Sequence, residues 1–230
     1  MSVILIEFSF SKNLLPRFHS QIFPASSFFS EISNMVLEKE IQFILALDAL
    51  KNVNRRNFNL DNSRRENTAE HSWQIVVFAQ ILLPYAKNKN KIDLLRVIKM
   101  LSIHDVVEIE AGDTFIFDEA AMTGKYDREL AAAKKIFGIL GDPLGSEFLS
   151  LWMEFEAEET PDAIFACAVD RIMPFLLNVY GSAESWTEAN IKGNQVENIV
   201  GKAVKSASEE MGEAFDVLLK KALDDGKLEK

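Results

Sequence analysis

The chain has 230 residues, of which 48% are hydrophobic, and its formal net charge is −10. This length fits one domain, or one domain with an extension, and the apolar fraction is sufficient for a core without disulfides. The negative charge argues against a protein that binds the phosphate backbone of nucleic acids, although a few local arginines could still hold a small anionic substrate.

The cysteine content and the hydropathy of the chain indicate the cellular compartment in which the protein is expected. The only cysteine is Cys167, so no disulfide framework is possible and a reducing, cytoplasmic location is expected. No uninterrupted apolar run reaches the roughly 18 residues needed to span a bilayer, so no membrane partner is expected.

Residues 1–34 differ from the rest because they are rich in serine and phenylalanine and poor in charge. A targeting peptide could have this composition, but the segment has no arginine-rich amphipathic face. We expect either a docked extension or sequence upstream of an alternative start at Met35. The predicted division is an extension over residues 1–34 and one domain over residues 35–230.

Hydrophobic periodicity predicts helices along most of the remaining chain and almost no sheet, so the predicted fold class is all-α. The predicted helices, seven or eight in number, cover residues 38–50, 68–86, 91–110, 120–140, 143–159, 162–180, 195–210 and 213–224. Thr68 is the expected N-cap of the second helix. Residues 182–194, which include Trp186, are predicted to form a loop.

A polar segment, residues 51–67, is dense in asparagine and contains Arg55, Arg56, Arg64 and Arg65. A loop of this length within a compact domain is usually functional or disordered. Arginine binds phosphate through paired N–H donors, so the cluster suggests a phosphate site if a metal pocket lies beside it. Without such a pocket, a solvated loop is the simpler interpretation.

The most informative stretch is residues 101–114, where an apolar helix runs into His104 and Asp105. Imidazole and carboxylate are both good ligands for a divalent metal. Glu108 follows one helical turn later on the same face, where it could hold a metal or move a proton. Buried charges are costly unless they are paired or bound to a metal, so this stretch is interpreted as the edge of a metal pocket.

Two further residues extend this set. Asp170 is a single carboxylate within an apolar helix, and its neighbour Arg171 points about 100° away, so a metal is the stronger candidate partner. His71 lies in the first turn of its predicted helix, where a lone histidine is more often structural than a ligand. The ordered set of His71, His104-Asp105 and Asp170 is stronger evidence for a metal site than any one of these residues alone.

This ordered set resembles the signature of the HD-domain metal-dependent phosphohydrolases, which are all-α proteins. Within that superfamily, the chain looks most like the bacterial 5′-deoxynucleotidases and the eukaryotic HD domain-containing protein 2 group. The resemblance covers about residues 36–200. The motifs that carry it are Glu66-Asn-x-x-Glu-His71-Ser, His104-Asp-x-x-Glu108, Gly112-Asp113, Val169-Asp-Arg-Ile-x-Pro174, Ser185-Trp186 and Gln195-Val196.

The resemblance implies that His71, His104, Asp105 and Asp170 bind one divalent metal ion. Two imidazoles and two carboxylates suit manganese, cobalt, iron, nickel or zinc, and suit magnesium less well. A second metal is not expected, because the chain has only three histidines. By its family position, Glu108 would handle the proton of the attacking water.

The resemblance also implies contacts with the substrate. Asp113 matches a position near the sugar in the deoxynucleotidases, and an arginine before the first metal histidine grips the phosphate there. Arg55 or Arg56 matches that arginine, and Arg64 is a further candidate. The deoxynucleotidases carry a tryptophan directly after it, whereas here the next residue is Arg56 or Asn57, so a preference for deoxyribose does not follow.

The leading hypothesis is a metal-dependent hydrolase that releases phosphate from (deoxy)nucleoside 5′-monophosphates. One alternative is hydrolysis of another phosphate ester or a nucleoside polyphosphate, which would need a more basic pocket. Another is a regulatory helical protein that keeps the metal for structure, although such a site would not need Glu108. The simplest alternative is a helical domain whose histidines and aspartates pair among themselves. A homodimer is expected by family resemblance.

Overall fold

The computed structural model describes residues 36–229, so the predicted extension over residues 1–34 lies outside the described residues. The helices in chain order are α1 (Glu38–Leu47), α2 (Thr68–Leu82), α3 (Leu94–Ile103), α4 (Glu108–Ala111), α5 (Glu119–Met122), α6 (Lys125–Phe137), α7 (Leu144–Ala157), α8 (Pro161–Tyr180), α9 (Glu184–Glu188), α10 (Gly193–Val196), α11 (Lys202–Ala207) and α12 (Glu209–Asp224). Short 3₁₀ turns lie at Asp48–Asn52, Leu83–Tyr85, Lys89–Lys91 and His104–Val107.

The long helical segments agree with the sequence prediction. A π-helical turn, Glu197–Gly201, joins α10 to α11 into one continuous segment over residues 193–207. The segments of ten residues or more are then α1, α2, α3, α6, α7, α8, this continuous segment and α12. The predicted all-α class is confirmed.

The polar segment predicted as a loop contains a two-stranded antiparallel hairpin, the only sheet within residues 36–229. Its strands are β1 (Asn54–Phe58) and β2 (Arg65–Asn67). Asparagine and arginine do not favour strands by themselves, so the pattern gave no strand signal. The strands are instead fixed by tertiary contacts: the Arg65 guanidinium lies 4.7 Å from the centre of the Phe58 ring and pairs with Glu188 of α9 at 2.8 Å.

The hairpin leads directly into α2, whose N-cap is Asn67 and not Thr68 as predicted. The Asn67 side chain accepts a hydrogen bond from the backbone N–H of Glu70 at 3.0 Å, and the Glu70 carboxylate accepts one from the backbone N–H of Asn67 at 2.7 Å. These reciprocal bonds form a capping box. Thr68 is buried, and its hydroxyl donates to the carboxylate of Glu108 instead.

Two other boundaries differ from the prediction. The predicted loop over residues 182–194 contains α9, in which Trp186 is buried. The single helix predicted over residues 120–140 is divided into α5 and α6, because Gly124 adopts a φ of +67° that breaks the helix between them.

Helix α8 is the centre of the core. Its first turn is set by Thr160, whose side chain accepts a hydrogen bond from the backbone N–H of Ala163 at 3.1 Å, and by Pro161. By length and composition α8 could cross a membrane, but 61% of its apolar window is buried inside the fold, as in a core helix. Helices α2, α3 and α8 pack against one another, which brings three separate parts of the chain together.

The capping box generates a stability prediction. Asn67→Ala should lower the free energy of unfolding by about 1 kcal/mol, because the first turn of α2 loses its side-chain acceptor. Urea denaturation measures this difference. Asn88→Ala is the matched control, since Asn88 also precedes a helical turn but makes no side-chain capping bond. Equal losses in both variants would contradict the assignment of the cap.

Candidate active site

The contact between α2, α3 and α8 brings together four residues that the sequence analysis selected as metal ligands. Atom Nε2 of His71 lies 2.8 Å from Oδ1 of Asp170 and 3.9 Å from Oδ2 of Asp105. Atom Nε2 of His104 lies 3.0 Å from Oδ1 of Asp105 and 3.5 Å from Oδ1 of Asp170. Donor atoms of His71, His104 and Asp105 lie within 4.8 Å of one another. The ordered set in the sequence is therefore one cluster in space.

The orientation of the two imidazoles fits a bound cation. Nδ1 of His104 donates to the backbone carbonyl of Leu101 at 3.0 Å, which leaves the lone pair of Nε2 directed at the cluster. That Nε2 is buried and has no hydrogen-bond partner among residues 36–229. The ring of His71 is fully buried, with Nδ1 3.5 Å from Oε2 of Glu66. A divalent ion would bind the lone pair of His104 Nε2, so the residues present fit a metal.

Charge compensation determines the protonation of this cluster. Burial opposes a charge on His104, but the adjacent carboxylates of Asp105 and Asp170 outweigh burial and hold the pKa of His104 well above its ordinary value. The pKa of His71 is also raised, against burial, by its bond to Asp170. Burial opposes the charge of Asp105 as well, yet His104 lowers the pKa of Asp105 to about 2. Without a metal, the imidazoles therefore hold protons that balance the carboxylates.

Arg55 of β1 connects the hairpin to the cluster. Its Nη1 lies 3.0 Å from Oδ2 of Asp105, and its Nε lies 3.5 Å from Oε2 of Glu66. Burial opposes the guanidinium charge, but Asp105 and Glu108 outweigh it and raise the pKa of Arg55. One of the arginines that the sequence analysis proposed thus reaches the cluster from the hairpin.

Glu66 is a site residue whose role the sequence analysis missed. It is only 1% exposed and lies between Arg55 and His71, so one carboxylate orients both a cation and a candidate metal ligand. The sequence feature that could have identified Glu66 was its place in the motif before His71. The contact itself depends on the hairpin, which residue types alone did not predict.

Glu108 occupies a buried position at the N-terminal end of α4. Burial, followed by the charge of Asp105, raises the pKa of Glu108 well above its ordinary value. The hydroxyl of Thr68 donates to Oε2 of Glu108 at 2.9 Å and fixes its orientation. A carboxyl group in this environment can hold or accept a proton.

A cavity of about 380 Å³ opens beside the cluster, a size within the range of small-molecule sites. The predicted site residues that line it are Arg55, Arg56, His104, Asp105, Glu108, Asp113 and Asp170. His71 lies beneath the cavity surface because its side chain is fully buried. The structure does not bring Arg64 to the cavity wall: its guanidinium is exposed and pairs with Glu70 at 2.7 Å.

The sequence analysis missed two features of the cavity wall. Phe115 and Phe117 follow Asp113 in the segment after α4 and form an aromatic wall, with ring centres 5.3 Å apart. Lys125 and Glu129 of α6 pair at 2.8 Å on another side of the cavity. Neither feature has a recognisable spacing in the sequence, because each depends on how α4 and α6 pack.

Comparison with known proteins agrees with this geometry. Residues 47–212 match the family model described as "HD domain". The chain is 27% identical over 137 residues to the 5′-deoxynucleotidase HDDC2 of Danio rerio, covering 59% of this chain and 66% of that protein. It is 28% identical over 132 residues to the 5′-deoxynucleotidase HDDC2 of Homo sapiens, covering 57% of this chain and 62% of that protein. The chain thus spans less than two thirds of the length of these relatives.

A solved structure is also similar to this chain. It is the crystal structure of a predicted metal-dependent phosphohydrolase from Magnetospirillum magnetotacticum MS-1, with a TM-score of 0.79 and 39% sequence identity. The match covers 84% of this chain and 96% of the bacterial chain, so it includes almost all of that protein.

The raised pKa values of His71 and His104 generate a prediction about pH. Protonated imidazoles stabilise the metal-free fold fully below their unfolded pKa of about 6.5, and this stabilisation is lost as pH rises through the raised folded pKa. A metal ion must displace the same protons. The increase in Tm on adding Mn²⁺ to chelator-stripped protein should therefore be larger at about pH 8.5 than at about pH 6.

Calorimetry in buffers of different ionisation enthalpy provides a second measurement of the same effect, because metal binding near pH 7 should release protons. Asp127→Ala, which removes an exposed carboxylate of α6 that does not line the cavity, should leave both results unchanged. A metal-induced increase in Tm that is independent of pH, without proton release, would contradict the prediction.

Proposed function

The chain belongs to the HD domain family, and on that premise we propose that it is a metal-dependent phosphohydrolase that releases phosphate from nucleoside 5′-monophosphates, including deoxynucleotides. The observation that carries the proposal is the position of Arg55 and Glu108 beside the four-residue cluster, at a cavity of about 380 Å³ that all of these residues except His71 line. The curated relatives named 5′-deoxynucleotidase HDDC2 support the substrate class.

The metal would be held by His71, His104, Asp105 and Asp170. When bound, a divalent ion would lower the pKa of a coordinated water and offset the negative charge of the phosphate. The protein contributes the orientation of the ligands: Leu101 and Glu66 fix the two imidazoles from behind.

Arg55 is the proposed phosphate-binding arginine. Its Nη1 is bonded to Asp105, its Nε lies against Glu66, and its side chain lines the cavity, so the donors of Nη2 remain for a substrate. Its bonds to Asp105 and Glu66 hold the guanidinium in place before a substrate enters, which reduces the entropy lost on binding. Arg64 is not assigned this role, because it is paired with Glu70 outside the cavity.

Glu108 is the proposed acid–base residue. Its raised pKa suits a group that takes a proton from water and passes it to the leaving oxygen. The Thr68 hydroxyl restricts the rotation of the carboxyl group, so the proton is exchanged on the side that faces the cavity. Asp113, which also lines the cavity, is the proposed acceptor for a sugar hydroxyl.

Charge on the cavity wall favours a monophosphate over a nucleoside polyphosphate. Glu156 and Glu158 are paired with Lys125 and Arg171, but Asp113 lines the cavity without such a pair, and a second or third phosphate group would lie near its carboxylate. The Coulomb repulsion would oppose binding of a more highly charged substrate.

Phosphate release from a panel of nucleotides tests this function. Chelator-stripped protein is assayed with Mn²⁺, Co²⁺ or Mg²⁺ added back, on nucleoside monophosphates and triphosphates with either sugar. We expect metal-dependent release from the monophosphates and little release from the triphosphates. Bound metal without turnover of any monophosphate would contradict the proposed substrate class.

A substitution separates the chemical role of Glu108 from metal binding. Glu108→Gln should retain the metal and lower kcat by about 10²- to 10⁴-fold, because the amide cannot exchange a proton. Metal content by mass spectrometry and steady-state kinetics provide the two measurements. Glu110→Gln is the matched control, since Glu110 lies on the same short helix but pairs with Lys135 outside the cavity. A near-normal kcat for Glu108→Gln would remove its proposed role.

A further inference from the structure

We propose that Arg56 and Phe115 form a stacking platform for the nucleobase of the substrate, an inference that rests on the proposed hydrolysis of nucleotides. Both residues line the cavity, and the guanidinium carbon of Arg56 lies 5.8 Å from the centre of the Phe115 ring. This distance is within the range of a cation–π contact.

Arg56 differs from the other arginines of residues 36–229 in its lack of polar partners. The arginines that pair with a carboxylate are Arg55, Arg64, Arg65, Arg96 and Arg171. Arg128 instead donates to two backbone carbonyls. The side chain of Arg56 has neither kind of partner in this part of the chain, although the protein is strongly acidic. Its N–H donors and the free face of its guanidinium are therefore available to a ligand.

The two adjacent arginines of β1 face different parts of the site. Arg55 is only 14% exposed and is bonded to Asp105, whereas Arg56 is exposed and lies over the ring of Phe115. Both side chains reach the cavity, Arg55 beside Asp105 and Arg56 over Phe115. A ligand whose phosphate lies next to Arg55 would extend towards Arg56 with its other end.

The chemistry of this second position favours an aromatic base over a second phosphate. Guanidinium planes and aromatic rings both stack on nucleobases, and such stacking needs no particular base. Phe117 continues the aromatic surface beside Phe115. A second phosphate would find only one unpaired cation here, and Asp113 on the same wall would repel it.

A pair of substrates tests the platform. One is a deoxynucleoside 5′-monophosphate, and the other is deoxyribose 5-phosphate, which has the same phosphate and sugar but no base. Phe115→Leu and Arg56→Gln should each raise KM for the nucleotide about tenfold, with little change in kcat, and leave KM for the sugar phosphate unchanged. Arg55→Gln should instead raise KM for both substrates.

Phe58→Leu is the matched control. Phe58 also lies beneath an arginine of the same hairpin, but it is not part of the cavity wall. This variant should leave KM for both substrates unchanged, and thermal melting verifies that each variant is folded.

The nucleoside product provides a second readout, because it has the base but no phosphate. It should inhibit the unmodified protein competitively and inhibit the Phe115→Leu and Arg56→Gln variants more weakly. An equal rise in KM for both substrates, or unchanged inhibition by the nucleoside, would overturn the platform while the proposed function stands. Absence of phosphate release from both substrates by the metal-loaded, unmodified protein would overturn the proposed function and the platform with it.

Discussion

Two imidazoles and two carboxylates are buried together where α2, α3 and α8 meet, and none of these groups could be buried alone without a large cost. Each charge has its opposite within hydrogen-bonding distance, and a divalent ion would take the place of the two protons. The packing of the three central helices therefore depends on the geometry of the cluster, and the cluster depends on that packing. A change that separates the helices would also expose the charged groups to water or leave them buried without a partner.

The hairpin extends this constraint to the substrate side of the site. Glu66 of β2 contacts His71, and Arg55 of β1 contacts both Glu66 and Asp105, so the strands are held by the cluster that they cover. Thr68, the next residue but one after Glu66, donates to Glu108. The short segment from Arg55 to Thr68 thus orients the proposed metal ligand His71 and the proposed acid–base residue Glu108. It also supplies the proposed phosphate-binding arginine.

The sequence predicted the helices and indicated the four residues of the cluster, because both leave local patterns. Hydrophobic periodicity locates α2, α3 and α8, and a polar residue such as His104 or Asp170 beside apolar neighbours marks an unusual buried charge. The hairpin and the aromatic wall left no such pattern. Strand formation at Arg55 and Arg56 depends on Glu66, Asp105 and Glu188, and the approach of Phe115 to Arg56 depends on the segment after α4, so both required tertiary structure.

An acidic chain can act on an anionic substrate only if its negative charge is neutralised locally. Asp105 and Asp170 would be compensated by the metal and by Arg55, whose Nη1 lies 3.0 Å from Asp105. Arg56, which no carboxylate neutralises, is then surplus positive charge on the cavity wall. Placing it over Phe115 would let the protein use that charge for a planar, neutral group, so that the proposed nucleotide would bind with its phosphate at Arg55 and its base at Arg56.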